Sequence, residues 1–214
     1  MKRKDDIDRH LIEKLELLRL SDDEQTRIEI FCEYIAKIIE KATSQGKFSQ
    51  IKPNEMSMSG LVKEIKLFPL GSFSLGHLRR DHLITDFSLV FEPLTENSPE
   101  NIRPLVLETL FNYLKSENEA ISAAGLARYQ LDIRLEHLED SNENKSCCLF
   151  IKDKNSGFGI RIVAAKKVRL HPDLKIPADY EAIIQIARVH QLLKRHSDLR
   201  ENFNTYCLLL KYWR

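Results

Sequence analysis

With 214 residues, 43% of them hydrophobic and 30% charged, the chain has the make-up of a soluble globular protein, long enough for one large domain or for one domain and part of another. Its net charge of +1 excludes a global basic footprint for nucleic acid, so any RNA or DNA contact has to come from a local patch. No run approaches the roughly 20 consecutive apolar residues of a membrane span, and Met1-Lys-Arg-Lys4 lacks the apolar stretch of a signal peptide, so the expected location is intracellular, with no membrane partner.

Residues 1–20 read as a polar N-terminal arm with a weakly apolar middle at Leu11, Ile12, Leu15, Leu17 and Leu18. Ser21-Asp-Asp-Glu24 is a capping box. Behind it Ile28, Phe31, Ile35, Ile38 and Ile39 recur at helical spacing, which predicts a long amphipathic helix ending near Ser44-Gln-Gly46. A polar link through Lys52-Pro-Asn54 leads to a strand over Ile65 to Leu70, a turn at Gly71-Ser72 with a second glycine at Gly76, and an apolar strand that begins at Asp86 and runs to Phe91. Pro93 and Pro99 break the chain before a helix carrying Leu107, Leu110, Phe111 and Leu114, and three strands follow from Tyr129, Cys147 and Phe158. The order predicts an α+β fold, a small mixed sheet backed by helices, over residues 21–176.

The segment from Leu67 to Phe91 has the outline of a nucleotidyltransferase active site. In the intact pattern a Gly-Ser turn opens a helix whose free N–H groups cradle phosphate, the glycine letting backbone approach closely. The next strand then offers two acids at i and i+2, which share a face and together hold Mg²⁺. Here Gly71 and Ser72 supply the turn, while Asp86 is followed at i+2 by Ser88. Mg²⁺ wants hard, charged oxygens, so the substitution removes half of the charge. A third acid is expected from the strand Phe158 to Ala164, where Arg161 stands in its place; an arginine repels a divalent ion but pairs with a phosphate or with Asp86. Asp132, on the alternating strand from Tyr129, is a second candidate, whose facing depends on the sheet order.

Each piece also has a plainer explanation. A Gly-Ser dipeptide is a common turn, and an acid at a strand start is more often a turn cap than a metal ligand. Arg79, Arg80 and His82 make a candidate phosphate-facing cluster beside Gly71 and Ser72, though charged loops are usually just solvated. Lys152, Lys154, Arg161, Lys166, Lys167 and Arg169 form the best local basic patch. Cys32, Cys147, Cys148 and Cys207 have no metal-site spacing and read as reduced core or strand thiols. His171-Pro-Asp173 reads as a turn.

From about Pro177 the pattern is helical, with Ile183, Ile184, Ala187 and Leu193 lining one helix. Leu199, Phe203, Tyr206, Leu210 and Trp213 line another, and this stripe runs into the C-terminus at Trp213-Arg214. Such an open apolar face expects cover: further helices of a C-terminal lobe, of which 177–214 would be the first, or the interface of a partner.

With these residues in place the chain resembles the DZF domain, the domain associated with zinc fingers, of double-stranded-RNA-binding regulators such as the interleukin enhancer-binding factors and the zinc-finger RNA-binding protein. The resemblance lies in Asp8-Arg-His10 with the leucine-rich segment and acidic Ser21 to Glu24, in Gly71 to Gly76, in Asp86-Phe-Ser-Leu-Val90, and in the helical segment from Ile186 through Leu210. The family's Arg-His-Ala-Arg-Trp-Phe-like stretch lacks its aromatic pair here, where Gln191-Leu192 stand. The resemblance implies a nucleotidyltransferase-like fold that has lost catalysis and acts as a heterodimerisation module, nuclear or cytoplasmic, with a DZF-containing or double-stranded-RNA-binding partner and indirect contact with RNA. It implies no cofactor and no metal site, with Asp86 the one vestigial ligand. The alternatives are an active template-independent transferase of the terminal or poly(A) type, using Asp86 and Asp132 with Mg²⁺ and a nucleoside triphosphate, and an inactive nucleotide-binding module.

Overall fold

A computed structural model describes residues 2–48, 62–70, 78–93, 102–138 and 146–167, together with the single positions 189, 192, 203 and 207. Among the described residues the helices α1 (Lys2–Leu18), α2 (Asp22–Ser44) and α3 (Ile102–Ala123) accompany five strands. The strands are β1 (Val62–Leu70), β2 (Ile84–Pro93), β3 (Leu131–Leu138), β4 (Ser146–Asp153) and β5 (Gly159–Lys166). They form one sheet in the order β1-β2-β5-β4-β3, in which only the central β2–β5 pair is parallel and the other pairs are antiparallel. This is the expected α+β mixed sheet backed by helices.

The stretch 2–18 is a helix, where the sequence reading has a polar arm. Leu11, Leu15 and Leu18 fall at i, i+4 and i+7, and Leu18 is buried while Ile12 and Leu17 are exposed. So narrow a stripe, set among charges, gives little helical signal. The boundary with α2 is sharp because the capping box forms in full: Ser21 Oγ accepts from the Glu24 backbone N–H, and the Ser21 N–H donates to Glu24 Oε2 at 2.8 Å. At its other end α2 closes through Gly46, whose φ of 66° is a left-handed value that suits glycine, and the Lys47 N–H returns to the Ala42 carbonyl.

Period-2 alternation in the strands gives the sheet two chemically distinct faces. On one, Ile65, Phe87, Leu89, Phe91, Leu149, Ile151, Ile160 and Ile162 are buried in a single core with Phe31 and Ile35 of α2 and Val106, Leu107 and Leu110 of α3. Tyr129 closes its end, with ring centroids 5.1 Å from Phe31 and 5.0 Å from Tyr34. Lys41 of α2 pairs with Glu117 of α3 at 2.7 Å. Among the described residues no helix is long and apolar enough to cross a membrane.

Candidate functional site

The second face of the sheet carries the residues singled out for chemistry. In register across β2, β5, β4 and β3 stand Asp86, Arg161, Phe150 and Arg134, a single cross-strand row. One step along it stand Ser88, Val163, Cys148 and Glu136. Asp86 and Ser88 are thus on one face of β2, and Arg161 is the direct neighbour of Asp86.

Arg161 Nε donates to Asp86 Oδ1 at 2.7 Å. The carboxylate raises the Arg161 pKa, against the smaller opposing pull of burial. Both side chains are partly exposed, so the pair sits where solvent screens it. Ser88 is different: it is 1% exposed, and its Oγ is buried without a hydrogen-bond partner among the described residues. At the i+2 position there is therefore a small neutral group in a closed space.

Asp132 shares this face of the sheet with Asp86, since it stands in register with Lys152 and through it with Gly159. β3, however, lies three strand spacings from β2. At about 4.8 Å per strand the lateral separation is about 14 Å, too far for two carboxylates to share one ion. The Asp132 carboxylate is engaged by Arg134 at 2.7 Å. Among the described residues no three His, Cys, Asp or Glu side chains gather closely enough to hold a metal ion. As a donor set for Mg²⁺, which takes several charged or carbonyl oxygens, Asp86 on its own beside a guanidinium does not fit.

Gly71 and Ser72 lie outside the described residues. Arg79 and Arg80, their proposed companions at a phosphate, are both engaged with carboxylates of the chain itself. Arg79 holds Asp81 through Nε at 2.7 Å and through Nη2, and lowers the Asp81 pKa. Arg80 Nη2 donates to Glu24 Oε2 at 2.8 Å, and its backbone N–H bonds the Leu18 carbonyl at 3.0 Å. Glu24 therefore has two tasks, completing the α2 cap and anchoring the 78–82 segment. The Arg80 bond, followed by the bonds from Ser21, brings its pKa down to about 2. The capping-box motif announces the first task, and nothing local in the sequence announces a partner 56 residues away.

Of the basic patch, Arg161 holds Asp86 and Lys167 pairs with Glu92 at 2.6 Å, while Lys152 faces the same side as Asp132 and Lys154 is in the β4–β5 turn. Arg169 and the His171-Pro-Asp173 turn lie outside the described residues. So do Leu199, Tyr206, Leu210 and Trp213 of the expected interface; Phe203 is helical and half-buried. Sequence reasoning missed the stacking of the Arg134 guanidinium over the Phe150 ring, 5.5 Å from its centroid. It missed Asp153 as well, a 2% exposed carboxylate that accepts from the Ser156 N–H and hydroxyl and from the Gln130 N–H. Burial alone would raise the Asp153 pKa, and these bonds outweigh it to leave the net shift downward. Cys32, Cys147 and Cys148 are free and buried, and burial pushes the Cys32 thiol up to about 12.

No protein-family model and no curated protein matches the chain by sequence. Solved structures do match it. CdnC of E. coli MS115-1, in a complex with HORMA-deltaN, is 14% identical with a TM-score of 0.57, over 95% of this chain and 55% of that one. GLD-2, in the GLD-2/RNP-8 complex, is 11% identical with a TM-score of 0.52, over 85% of this chain and 41% of that one. The chain thus spans about half the length of the structures it matches. Both are nucleotidyltransferase-fold proteins, and the five-stranded mixed sheet with its helices is a nucleotidyltransferase-like α+β fold.

Proposed function

We propose that the chain is a nucleotidyltransferase-like module without transferase activity, which works as a protein-pairing scaffold of the DZF kind in an RNA-regulatory assembly, nuclear or cytoplasmic. The observation that carries the loss of activity is the Asp86–Arg161 ion pair at 2.7 Å. In transfer chemistry the carboxylates hold the ions that offset charge on the reacting phosphate, a contribution of several kcal/mol. Here the Asp86 carboxylate is neutralised by a fixed cation from the neighbouring strand, and its i+2 companion is an alcohol. The scaffold role is supported by the DZF-like motifs and by two fold neighbours solved as complexes with a second protein.

Incubation with Mg²⁺ or Mn²⁺, each nucleoside triphosphate and an RNA primer is expected to give no extension. Extension that disappears in Asp86→Ala would overturn the reading in favour of an active template-independent transferase. For the scaffold role, purification from cells with mass spectrometry is expected to recover a DZF-containing or double-stranded-RNA-binding protein, and its consistent absence would count against that role.

A further inference from the structure

The sheet has two edges, and they are built differently. β1 carries devices that discourage pairing with another strand: its register shifts between Val62 and Glu64, Pro69 offers no N–H, and Lys66 is exposed. β3 carries none of these. Its eight residues pair with β4 without a register break, it contains neither proline nor lysine, and among the described residues no backbone hydrogen bond reaches its outer side. Ile133 and Leu135 on it are only half-buried.

The sequence of β3 is also complementary to itself. A two-fold axis perpendicular to the sheet and passing through Ile133 would pair two copies of β3 antiparallel, so that residues whose numbers sum to the same value stand opposite. Ile133 then meets its own mate, Leu131 meets Leu135, and on the other face Asp132 meets Arg134 twice, once on each side of the axis. The neighbouring registers are unfavourable. Moving the axis to Arg134 sets Arg134 against Arg134 and Asp132 against Glu136; moving it to Asp132 sets Asp132 against Asp132. Moving it to Leu135 also sets Arg134 against Glu136 twice, but puts Ile133 opposite His137 and Asp132 opposite Leu138. Since opposite charges facing across an antiparallel pair stabilise it and like charges oppose it, the Ile133 register is favoured as the one that joins two attractive charge pairs to apolar pairs on the other face. Asp132 and Arg134, with side chains 32% and 55% exposed, already bond each other within one chain and need only exchange partners across the axis.

We infer that β3 is a self-association edge, at which a second copy of this chain pairs antiparallel about Ile133 to make a continuous ten-stranded sheet. The interface does not depend on the function proposed above, since an active and an inactive chain would pair alike.

Light scattering coupled to size exclusion, with the full chain over a range of micromolar concentrations, tests this. The wild type is expected to move towards twice the 25.0 kDa chain mass as concentration rises. Arg134→Asp turns both attractive pairs into acid–acid pairs and is expected to weaken the dimer by about tenfold or more. Asp132→Arg combined with Arg134→Asp restores opposite charges and is expected to recover it. A wild type that stays monomeric, an Arg134→Asp chain that pairs as the wild type does, or a double variant that does not recover each overturns the inference. Hydrogen exchange on the wild type provides a readout free of substitutions: protection of β3 amides that grows with concentration, with β1 amides unchanged, is expected, and the reverse pattern overturns it.

Discussion

Glu24 joins two structures that are far apart in sequence, and its protonation should be visible in stability. Its pKa falls from 4.5 to about 2 on folding, so the charged form is the one the fold stabilises. The contribution is complete above about pH 4.5 and is lost as pH falls from there through about 2. Glu24→Gln is expected to cost about 1 kcal/mol at neutral pH, an amount limited by the partial exposure of the pair, and the gap in urea midpoint between variant and wild type should close towards pH 2. At Ser88 the expectation is opposite in sign. Its buried hydroxyl has no partner among the described residues, so Ser88→Ala should leave the melting temperature unchanged or raise it; a loss of more than about 1 kcal/mol would mean that the hydroxyl is bonded. The positions Asp86, Ser88 and Arg161 were legible in the sequence because strand period fixes which residues share a face. The ion pair itself was one of two roles open to Arg161 until the parallel β2–β5 register made it the neighbour of Asp86.

At the level of elements, strands and capped helices follow from alternation, apolar spacing and punctuation, which is why α2, α3 and every strand fall close to where the pattern places them. Strand order is not local information. That is why Asp132 read as a possible companion to Asp86 and stands three strands away. The β4–β5 turn shows a different limit, since Asn155-Ser-Gly157 announces a turn but not the carboxylate inside it. Gly157 has φ 77°, open space around its α-carbon and an N–H bonded to the Asp153 carbonyl. Gly157→Ala should therefore cost about 1 kcal/mol from backbone strain alone. Asp153→Ala removes the acceptor of three donors, two of them backbone, and should cost about 1–3 kcal/mol in chemical denaturation. If Asp153→Ala proves milder than Gly157→Ala, water has replaced the carboxylate and the turn is held by its backbone.

For the whole molecule, the core on one side of the sheet contains Cys32 and Cys147, while Cys148 is buried on the other side. Burial raises all three thiols, and a thiol rather than a thiolate is a poor nucleophile. These three cysteines are expected to resist an aromatic disulfide reagent at neutral pH in the native chain and to react in denaturant; fast native modification of Cys32 would show that α2 leaves β2 readily. The parallel β2–β5 pairing has a consequence in time as well as in space. It joins Asp86 to Arg161, 75 residues apart, whereas β3, β4 and β5 follow one another as an antiparallel meander. The meander can assemble from neighbouring chain, but the central seam closes only after a long loop has been drawn in, and such non-local pairing slows folding towards milliseconds or seconds. Closing that seam is then expected to be the slow step, so weakening the Asp86–Arg161 pair that spans it, as in Arg161→Ala, should slow refolding in stopped-flow measurements and not merely speed unfolding.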